Sequence, residues 1–414
     1  MKIAIITLGC KVNQYESEVL LKLLEEMGHE VVDSLEFADT YIINTCAVTN
    51  EAERKSRQHV GKCLSINPMA KIVVCGCASQ NNQDKFLISD NVIYITGTAN
   101  KYEIVNILED NIGVKVYNHP LIYENSFSPK QVRTRVFVKI QDGCNNFCSY
   151  CIIPYLRGRS RSRNVQDVVK ECEELQEISD EIVLTGIDMS SYGKDIGTNL
   201  IELIKSLKNI KSRIRLGSLE NTIISQELLD ALKDLQKFCP EFHLSLQSGS
   251  NAVLKKMNRK YTIEEYRKKV NLIRNNFEDA TITTDIICGF PTETEEDFEN
   301  TKNFVKEISF MQTHIFGYSL RDGTVAAKFK QLPKEVIKKR VLELEQVADE
   351  VRKNELSKFI GKEQEVLFEN EYNDKYKQGH SRNFIKFYKE NAGNGKILKV
   401  IGKTLFIDGL LAEE

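Results

Sequence analysis

Residues 136–151, VFVKIQDGCNNFCSYC, decide the fold of this chain. The apolar run at 136–141 predicts a buried strand, and three cysteines follow within eight residues, at positions 144, 148 and 151. If the strand belongs to a barrel of parallel strands, the cysteine loop lies on the face where such barrels carry their active sites. The next question is therefore whether other strands can stand beside this one.

Five more strand candidates follow, with helical patterns between them, at residues 181–184, 214–216, 243–246, 281–287 and 314–318. Six strands that alternate with helices predict six β/α units, and hence a central partial (β/α)6 barrel. Beyond Pro333, apolar residues at spacings of four and three predict a long helix that packs on the barrel rather than forming a coiled coil.

The two ends of the chain have patterns of their own. Before the barrel, apolar runs alternate with helical patterns, which predicts an α/β domain with a doubly wound parallel sheet. The runs are residues 2–7, 41–44, 72–75 and 92–96, and the helical patterns are 17–27, 51–64 and 101–108. After the barrel, strand-like runs predict a small C-terminal β-barrel, at residues 366–369, 384–388, 397–400 and 404–411. We place the domains at residues 1–112, 133–357 and 358–414, with a linker at 113–132.

The composition of the 414 residues is that of a globular protein with several domains. The 41% apolar and 28% charged residues exclude a disordered or collagen-like chain. No run approaches the ~18 uninterrupted apolar residues of a membrane-spanning helix, and the first residues turn polar too soon for a secretory signal. We expect a cytoplasmic protein without a membrane partner.

The net charge and the number of cysteines limit which partners and which cysteine sites the chain is expected to have. The formal net charge of −2 gives no reason to expect a nucleic-acid partner, so such a partner has to be argued from local charge. Eleven cysteines in a chain expected to be cytoplasmic argue against disulfides, and six histidines are too few for mixed zinc sites. The spacing of the cysteines is therefore the informative feature.

The run Cys144, Cys148 and Cys151 offers three thiolates and no fourth ligand nearby. A structural zinc site takes four nitrogen or sulfur ligands, and the next cysteine, Cys172, falls in a helical pattern. A 4Fe-4S cluster on three thiolates would leave one iron free to bind a small molecule. The spacing CxxxCxxC, with an aromatic residue before the last cysteine, resembles the signature of the radical S-adenosylmethionine (SAM) superfamily. This resemblance implies SAM on the free iron and its reductive cleavage to a 5′-deoxyadenosyl radical.

Residues at the other predicted strand ends are similar to the SAM-binding loops of that superfamily. The resemblance implies that these loops line the SAM pocket. The candidate cofactor-binding residues are Gly186, Gln247, Ser248, Gly289 and Pro291. Taken alone, each glycine is better explained as a turn residue.

Three further cysteines, Cys10, Cys46 and Cys77, each follow closely on a predicted strand of the N-terminal sheet. The carboxyl ends of parallel strands meet along one edge of an open sheet, so the three thiols can converge on a second cluster. The alternative is that they are buried cysteines that pack as small apolar side chains. That packing role is our interpretation of four other cysteines, Cys63, Cys172, Cys239 and Cys288.

The segments LGCKVNQYESE, NTCAVTNEAERKSRQ and GCASQ resemble the N-terminal domain of the tRNA methylthiotransferases. The likeness extends over most of the chain, through QDGCNNFCSYCIIPYLRGRSRSR, LSLQSGSNAVLKKMNRKYT and GFPTETEEDF. In that family three motif cysteines hold an auxiliary 4Fe-4S cluster, which implies Cys10, Cys46 and Cys77 as ligands here. Cys75 competes for the third position, but Cys77 fits the family motif Gly-Cys-x-x-Gln.

The resemblance is strongest to the branch that acts on N6-threonylcarbamoyladenosine at position 37 of tRNA. It implies that one SAM methylates a sulfur at the auxiliary cluster and that a second yields the radical that removes hydrogen from adenine C2. A methylthio group then joins C2. The expected partners are the tRNA anticodon stem-loop and an electron donor such as flavodoxin or ferredoxin. Two alternatives stay open: a methylthiotransferase for isopentenyladenosine-37 or a ribosomal-protein aspartate, and a non-catalytic metal-stabilised RNA-binding protein.

Two basic segments predict contacts with RNA. Between residues 130 and 163 a single acid, Asp142, faces eight cations: Lys130, Arg133, Arg135, Lys139, Arg157, Arg159, Arg161 and Arg163. We expect the run RGRSRSR at 157–163 to neutralise phosphates, since arginine grips phosphate in a bidentate manner. The C-terminal module interleaves lysines with aromatic residues, as suits unpaired bases, although part of the aromatic set must fill the barrel. Its VLFE and QGHSRNF stretches resemble the TRAM domain, a small RNA-binding barrel.

Overall fold

The computed structural model describes residues 1–32, 34–108, 113–125, 127, 133–393 and 395–413. Three units follow one another along the chain: a parallel α/β sheet, a barrel-like α/β unit and a small closed β-barrel. This is the fold class that the sequence predicts. Residues 109–112 of the predicted first domain, and 126 and 128–132 of the predicted linker, lie outside the described residues.

The N-terminal unit is a six-stranded parallel sheet with the strand order β2-β1-β3-β4-β5-β6. Its strands are β1 (Lys2–Thr7), β2 (Glu30–Val32), β3 (Thr40–Thr45), β4 (Lys71–Gly76), β5 (Val92–Ile95) and β6 (Gly113–Val114). Helices α1 (Lys11–Glu26), α2 (Asn50–Ile66) and α3 (Cys77–Asn81) accompany them. The central strands are apolar on both faces because each face carries its own core cluster, and this made their runs visible in the sequence.

Three short elements of this sheet escaped the sequence analysis. Strands β2 and β6 have three and two residues, and α3 has five, so none of them shows a periodic pattern. The α-helix expected at 101–108 is wrong in type, since the structure has a 3-10 helix there, over Lys101–Asn106.

The central unit has six parallel strands in a partial barrel, with one antiparallel edge strand, β8. The strands are β7 (Arg135–Asp142), β8 (Arg161–Ser162), β9 (Glu181–Gly186), β10 (Arg213–Leu216), β11 (Glu241–His243), β12 (Thr281–Cys288) and β13 (Gln312–Gly317). Backbone bridges from Ile214 to Phe238 and from Leu219 to Leu244 connect the two halves of the barrel. Within the described residues β13 and β7 do not pair, so the barrel is open on that side.

Helices connect the strands and enclose a large apolar core. They are α4 (Ile153–Arg157), α5 (Val165–Leu175), α6 (Leu200–Ser206), α7 (Gln226–Lys233), α8 (Asn251–Lys256), α9 (Ile263–Asn276), α10 (Glu295–Ile308) and α11 (Lys334–Ser357). Capping boxes start α9 at Thr262 and α10 at Thr294. The long helix α11 begins directly after Pro333, as predicted, and buries Leu344 in the barrel core.

The C-terminal unit is a closed barrel of five strands in the order β14-β15-β16-β18-β17. They are β14 (Glu363–Glu371), β15 (Tyr376–Ser381), β16 (Lys386–Glu390), β17 (Ile397–Phe406) and β18 (Gly409–Glu413). The strand predicted at 404–411 is wrong, because a turn with Ile407 at a φ of 54° divides it between β17 and β18. Strand β15 was missed because its sequence, YKQGHS, lacks apolar alternation.

Candidate functional site

The three cysteines of the loop after β7 line one cavity. Cys144, Cys148 and Cys151 border about 150 Å³ of space together with residues from the loops after β9, β10 and β11. Burial and, after it, a charge on the neighbouring Cys148 raise the pKa of Cys151 to about 12, so these thiols are electrostatic neighbours. Gly143 permits the tight loop: its φ is 71°, and a Cβ there would lie 2.0 Å from the carbonyl oxygen of Arg159.

Groups of both charges line the same cavity. The side-chain amide of Asn146 donates to Asp188 at 3.1 Å and to Glu220 at 3.2 Å. Arg259 pairs with Glu220 at 3.1 Å and donates from a terminal nitrogen to Sγ of Cys148 at 3.3 Å. The cavity thus presents carboxylates and a guanidinium beside the thiols, an arrangement that suits a ligand with both an ammonium and a carboxylate group.

The sequence analysis missed these polar residues for different reasons. Asp188 lies two residues beyond Gly186, so its place at a strand end was a usable signal. Glu220 lies in the loop after β10, outside every quoted motif. Arg259 lies beyond α8 within the stretch LSLQSGSNAVLKKMNRKYT, which carried the family likeness but gave this residue no role. Glu220 and Arg259 come to lie beside the thiols of the cysteine loop only in the folded barrel.

Of the predicted SAM-pocket residues, Gln247 lines the cysteine cavity. It stands with a φ of 73° at the strand-like end of the fourth β/α unit, where its backbone bridges to Ile286 of β12. Gly186 ends β9 beside Gln141, whose side chain would lie 3.1 Å from an added Cβ. Gly186 is not among the described residues that border this cavity.

The other three candidates have contacts within the fold. Ser248 is 1% exposed, and its hydroxyl lies 3.5 Å from that of Thr301. The backbone N–H of Gly289 donates to the carboxylate of Glu293 at 2.8 Å, and Pro291 is buried. None of the three is among the described residues that border the cysteine cavity. Their part in SAM binding stays a prediction.

The structure brings the second set of cysteines to one edge of the N-terminal sheet. Cys10 precedes α1 just beyond β1, Cys46 directly follows β3, and Cys77 begins α3 directly after β4. Burial and, to a smaller extent, charges on Cys77 and Cys10 raise the pKa of Cys46 to about 11, so the three thiols are neighbours. Gly9, with a φ of 96°, makes room for them, since a Cβ there would lie 2.7 Å from Sγ of Cys46.

Cys75 lies on the opposite face of the sheet from this thiol set. It packs against Ile42 and Val73 in the core cluster beneath α1, whereas Cys77 belongs to the cluster on the other face. Strand alternation alone would leave residues 75 and 77 on one face, but the chain turns at Gly76, whose φ is 107°, and α3 begins at Cys77. This turn places Cys77 with the thiol set and favours it as the third thiol. The four cysteines interpreted as packing residues are all 1% exposed or less: Cys63, Cys172, Cys239 and Cys288.

A second cavity, of about 240 Å³, is bordered by residues of both domains. On the barrel side it is bordered by Cys151 and Asp285, and on the other side by Val48 and Thr49, which follow Cys46 in the chain. Of the six cysteines in the two thiol sets, Cys151 is the one that borders this space within the described residues. We call it the interdomain chamber.

The predicted phosphate contacts of the run 157–163 are wrong for three of its four arginines. Arg157, Arg161 and Arg163 are each 3% exposed or less. Arg161 pairs with Asp142 at 3.5 Å, and Arg163 pairs with the buried Glu171. Of the other cations, Lys139 is also buried, Arg159 is exposed and stacks on a phenylalanine ring, and Lys130 lies outside the described residues.

Arg157 instead ties the two domains together at the second thiol set. Its Nε donates to Sγ of Cys77 at 3.3 Å. Its terminal nitrogens donate to Glu16 at 2.9 Å, to Asp142 at 3.0 Å and to the side-chain oxygen of Asn13 at 2.6 Å. A residue of the barrel domain thus completes the surroundings of a thiol in the sheet domain.

The C-terminal aromatic residues divide as the sequence suggested, with part of the set inside the protein. Phe387 is in the barrel core, whereas Tyr388, the next residue of β16, is buried against the rings of Tyr372 and Phe406. The ring of Phe384 lies between the guanidinium groups of Arg135 and Arg215, at 5.1 and 4.8 Å, which joins the module to the amino ends of the barrel strands. The rings of Phe384, Phe387 and Tyr388 therefore make contacts within the protein.

Family models match two parts of the chain: the radical SAM superfamily at residues 138–305 and the uncharacterised protein family UPF0004 at residues 2–97. The threonylcarbamoyladenosine tRNA methylthiotransferase MtaB of Bacillus subtilis is 36% identical, covering 96% of this chain and 93% of the relative. MtaB of Aquifex aeolicus is 40% identical, with coverages of 89% and 92%. The chain belongs to the radical SAM tRNA methylthiotransferase family. Membership confirms that this methylthiotransferase uses 4Fe-4S clusters and SAM.

Two further comparisons bear on this methylthiotransferase. The tRNA-2-methylthio-N(6)-dimethylallyladenosine synthase of Thermodesulfovibrio yellowstonii is 39% identical, covering 96% of this chain and 95% of the relative. Among solved structures, the apo form of the cobalamin-dependent SAM radical enzyme OxsB has a TM-score of 0.53 at 12% identity. That match covers 84% of this chain but only 56% of OxsB, and it shows the fold alone. Among the described helices of the methylthiotransferase, none has the length and apolarity to cross a membrane.

Proposed function

We propose that this methylthiotransferase adds a methylthio group to C2 of N6-threonylcarbamoyladenosine at position 37 of tRNA. The observation that carries the proposal is the pair of thiol sets. One set borders the cavity in the barrel, and the other lies at the edge of the N-terminal sheet, where Val48 and Thr49, which follow Cys46, border the interdomain chamber. Relatives named for this substrate are 36–40% identical to the chain. A relative named for the dimethylallyl substrate is 39% identical, so the base that is modified has to be decided by experiment.

We infer that Cys144, Cys148 and Cys151 hold one cluster and that the N-terminal set, Cys10, Cys46 and Cys77, holds the other. The donors fit, because each set offers three free thiols, the ligand type that iron-sulfur clusters take. The barrel set borders open space, and Cys10 of the N-terminal set is exposed. When bound, the clusters supply the electron that cleaves SAM and a place for the sulfur that is transferred.

The residues around the first cluster site have separate roles in this proposal. Arg259 would pair with the carboxylate of SAM, and Asp188 and Glu220 would accept from its ammonium group. Ile153, Ile187 and Leu219 border the same cavity and would keep water away from the radical. An adenine C2–H has no useful acidity, so general-base catalysis cannot open it, and this is why a radical and its shielding are needed.

The tRNA substrate can be identified in cells. In a strain from which the gene is deleted, we expect the 2-methylthio form of N6-threonylcarbamoyladenosine to disappear and its unmethylthiolated precursor to accumulate. Mass spectrometry of nucleosides from bulk tRNA measures both, and the gene on a plasmid should restore the modification. Loss of 2-methylthio-isopentenyladenosine instead would assign the alternative substrate, and an unchanged profile would contradict a role in tRNA methylthiolation. The anticodon stem-loop and a flavodoxin or ferredoxin donor are the partners we propose.

The third ligand of the auxiliary cluster can be identified by paired substitutions. We expect Cys77→Ala to lower the iron content of the reconstituted protein from about eight to about four per chain, because two thiolates hold a cubane poorly. Cys75→Ala should keep about eight, since that thiol packs on the other face of the sheet. Iron and sulfide analysis with visible absorption spectra measures the difference. The reverse result would exchange the two assignments.

A further inference from the structure

Three side chains on neighbouring parallel strands of the barrel come together. His243 of β11, Asp285 of β12 and His314 of β13 each offer one metal-ligating atom, and these three atoms lie within 4.8 Å of one another. Asp285 also borders the interdomain chamber, and 30% of its side-chain surface is exposed. The group contains no cysteine of either thiol set, so the two cluster sites do not account for it.

The hydrogen bonds around His243 assign the hydrogen on its ring. The hydroxyl of Thr283 donates to the carboxylate of Glu241 at 2.9 Å, and Arg215 pairs with that carboxylate at 3.5 Å. Because the one hydrogen of the hydroxyl points to Glu241, its oxygen can only accept from Nδ1 of His243, which lies 3.0 Å away. Nδ1 therefore carries a hydrogen, and in the neutral ring Nε2 carries none.

The unprotonated nitrogen of this ring faces a carboxylate. Nε2 of His243 lies 3.2 Å from a carboxylate oxygen of Asp285. Two lone pairs at this distance repel each other unless a positive charge lies between them, and that charge is either a second proton on the ring or a cation. Zinc binds nitrogen and oxygen ligands at about 2.0–2.2 Å, which sets two ligands of one tetrahedral ion about 3.3 Å apart. The observed separation therefore fits a shared ion as well as it fits an ion pair.

His314 favours the cation over the proton. In the part of the chain that the structure describes, no hydrogen bond engages its ring nitrogens, yet one of them lies within 4.8 Å of the ligand atoms of His243 and Asp285. Burial lowers the pKa of His314, which favours the neutral imidazole that binds metals. An ion pair between His243 and Asp285 gives this third side chain no role, whereas a metal ion takes all three as ligands.

The surroundings of the three ligands agree with a cation. A metal-bound histidine usually donates its other ring N–H to an oxygen that fixes the ring, and the chain from His243 through Thr283 to Glu241 does this. The carboxylate of Asp285 supplies negative charge. Lys11 acts in the opposite sense, but its charge affects the pKa of Asp285 less than the charge of either histidine does.

We propose that His243, Asp285 and His314 bind a single Zn²⁺ ion. Two imidazoles and one carboxylate are a ligand set that catalytic zinc sites use, and such sites keep a further position open. Because Asp285 borders the interdomain chamber, that position is open to an oxygen or nitrogen ligand that enters the chamber. The imidazoles select against Mg²⁺ and Ca²⁺, which take oxygen ligands. The inference is independent of which adenosine the enzyme modifies.

Zinc content tests the site, because elemental analysis distinguishes zinc from the cluster iron. Reconstituted enzyme with about eight irons per chain is dialysed anaerobically against a series of Zn²⁺ concentrations and analysed by inductively coupled plasma mass spectrometry. We expect the wild type to bind one zinc per chain and Asp285→Asn and His314→Gln to lose it. Thr283→Val should weaken binding about 10- to 100-fold, as for the loss of a group that orients a ligand, and Thr283→Ser should keep it. His59→Gln, on α2 of the other domain, is the matched control.

The outcomes separate a metal site from an ion pair. A wild-type enzyme that binds no zinc would overturn the inference and leave His243 and Asp285 as an ion pair. Wild-type zinc affinity in His314→Gln would overturn it as well, since the ion would then lie elsewhere. Iron analysis and urea denaturation of every variant check that the clusters and the fold are intact. If His314→Gln lowers the iron content, Asp285→Asn and Thr283→Val carry the test, and wild-type affinity in both overturns the inference.

Discussion

Replacement of Cys144, Cys148 and Cys151 by alanine is expected to lower the iron content from about eight to about four per chain and to abolish SAM cleavage. The reason is that these thiols are the only cysteines bordering the cavity in the described part of the barrel domain, and SAM has to meet the free iron there. Anaerobic reconstitution, iron and sulfide analysis, and chromatography of 5′-deoxyadenosine measure both effects.

The matched control is the triple alanine variant of the other set, Cys10, Cys46 and Cys77. It should also keep about four irons, but it should still cleave SAM, since the cluster site on the barrel is intact. Methylthiolation should be lost in both variants. An iron content unchanged by replacement of the barrel set would refute the assignment of that set.

The cysteine loop shows what a sequence can predict. Its three thiols fall within eight consecutive residues after an apolar run, so spacing alone singled them out as candidate ligands, and alternation of strands and helices predicted the barrel beneath them. For the N-terminal set, the prediction needed a further inference, namely that the strands preceding the three cysteines end at the same edge of the sheet. The structure brings Cys10, Cys46 and Cys77 together there because β1, β3 and β4 are neighbours in the sheet.

The arginine run shows what a sequence leaves open. A run of seven residues with four arginines favours an exposed phosphate-binding face only when no acidic side chain lies close enough to pair with the arginines. Here the acids come from other elements: Glu16 from a helix of the first domain, and Glu171 from the helix after the run. Contacts between distant segments decide whether an arginine faces water, and no local pattern reports them.

Arg157→Met is expected to lower the free energy of unfolding by about 3 kcal/mol, at the lower end of the range for breaking a buried ion pair. The variant leaves the buried carboxylates of Glu16 and Asp142 short of one cation, while Lys139 still pairs with both. Burial alone would raise the pKa of Glu16, yet Arg157, Lys101 and Lys139 hold it well below its ordinary value. This network therefore stabilises the fold above the unfolded pKa of about 4, and the contribution disappears as the pH falls through the folded value.

Urea denaturation followed by circular dichroism, at pH 7 and below pH 4, measures both parts of this expectation. Arg159→Met is the control two residues away: that arginine is exposed and stacks on Phe147, so its loss should cost less than about 0.5 kcal/mol. The Arg157 variant should also lower the reduction potential of the auxiliary cluster, because hydrogen bonds to ligand sulfur favour the reduced state. A variant as stable as the wild type at pH 7 would mean that Lys139 and Lys101 alone compensate the buried carboxylates, and that Arg157 serves Cys77 rather than the domain interface.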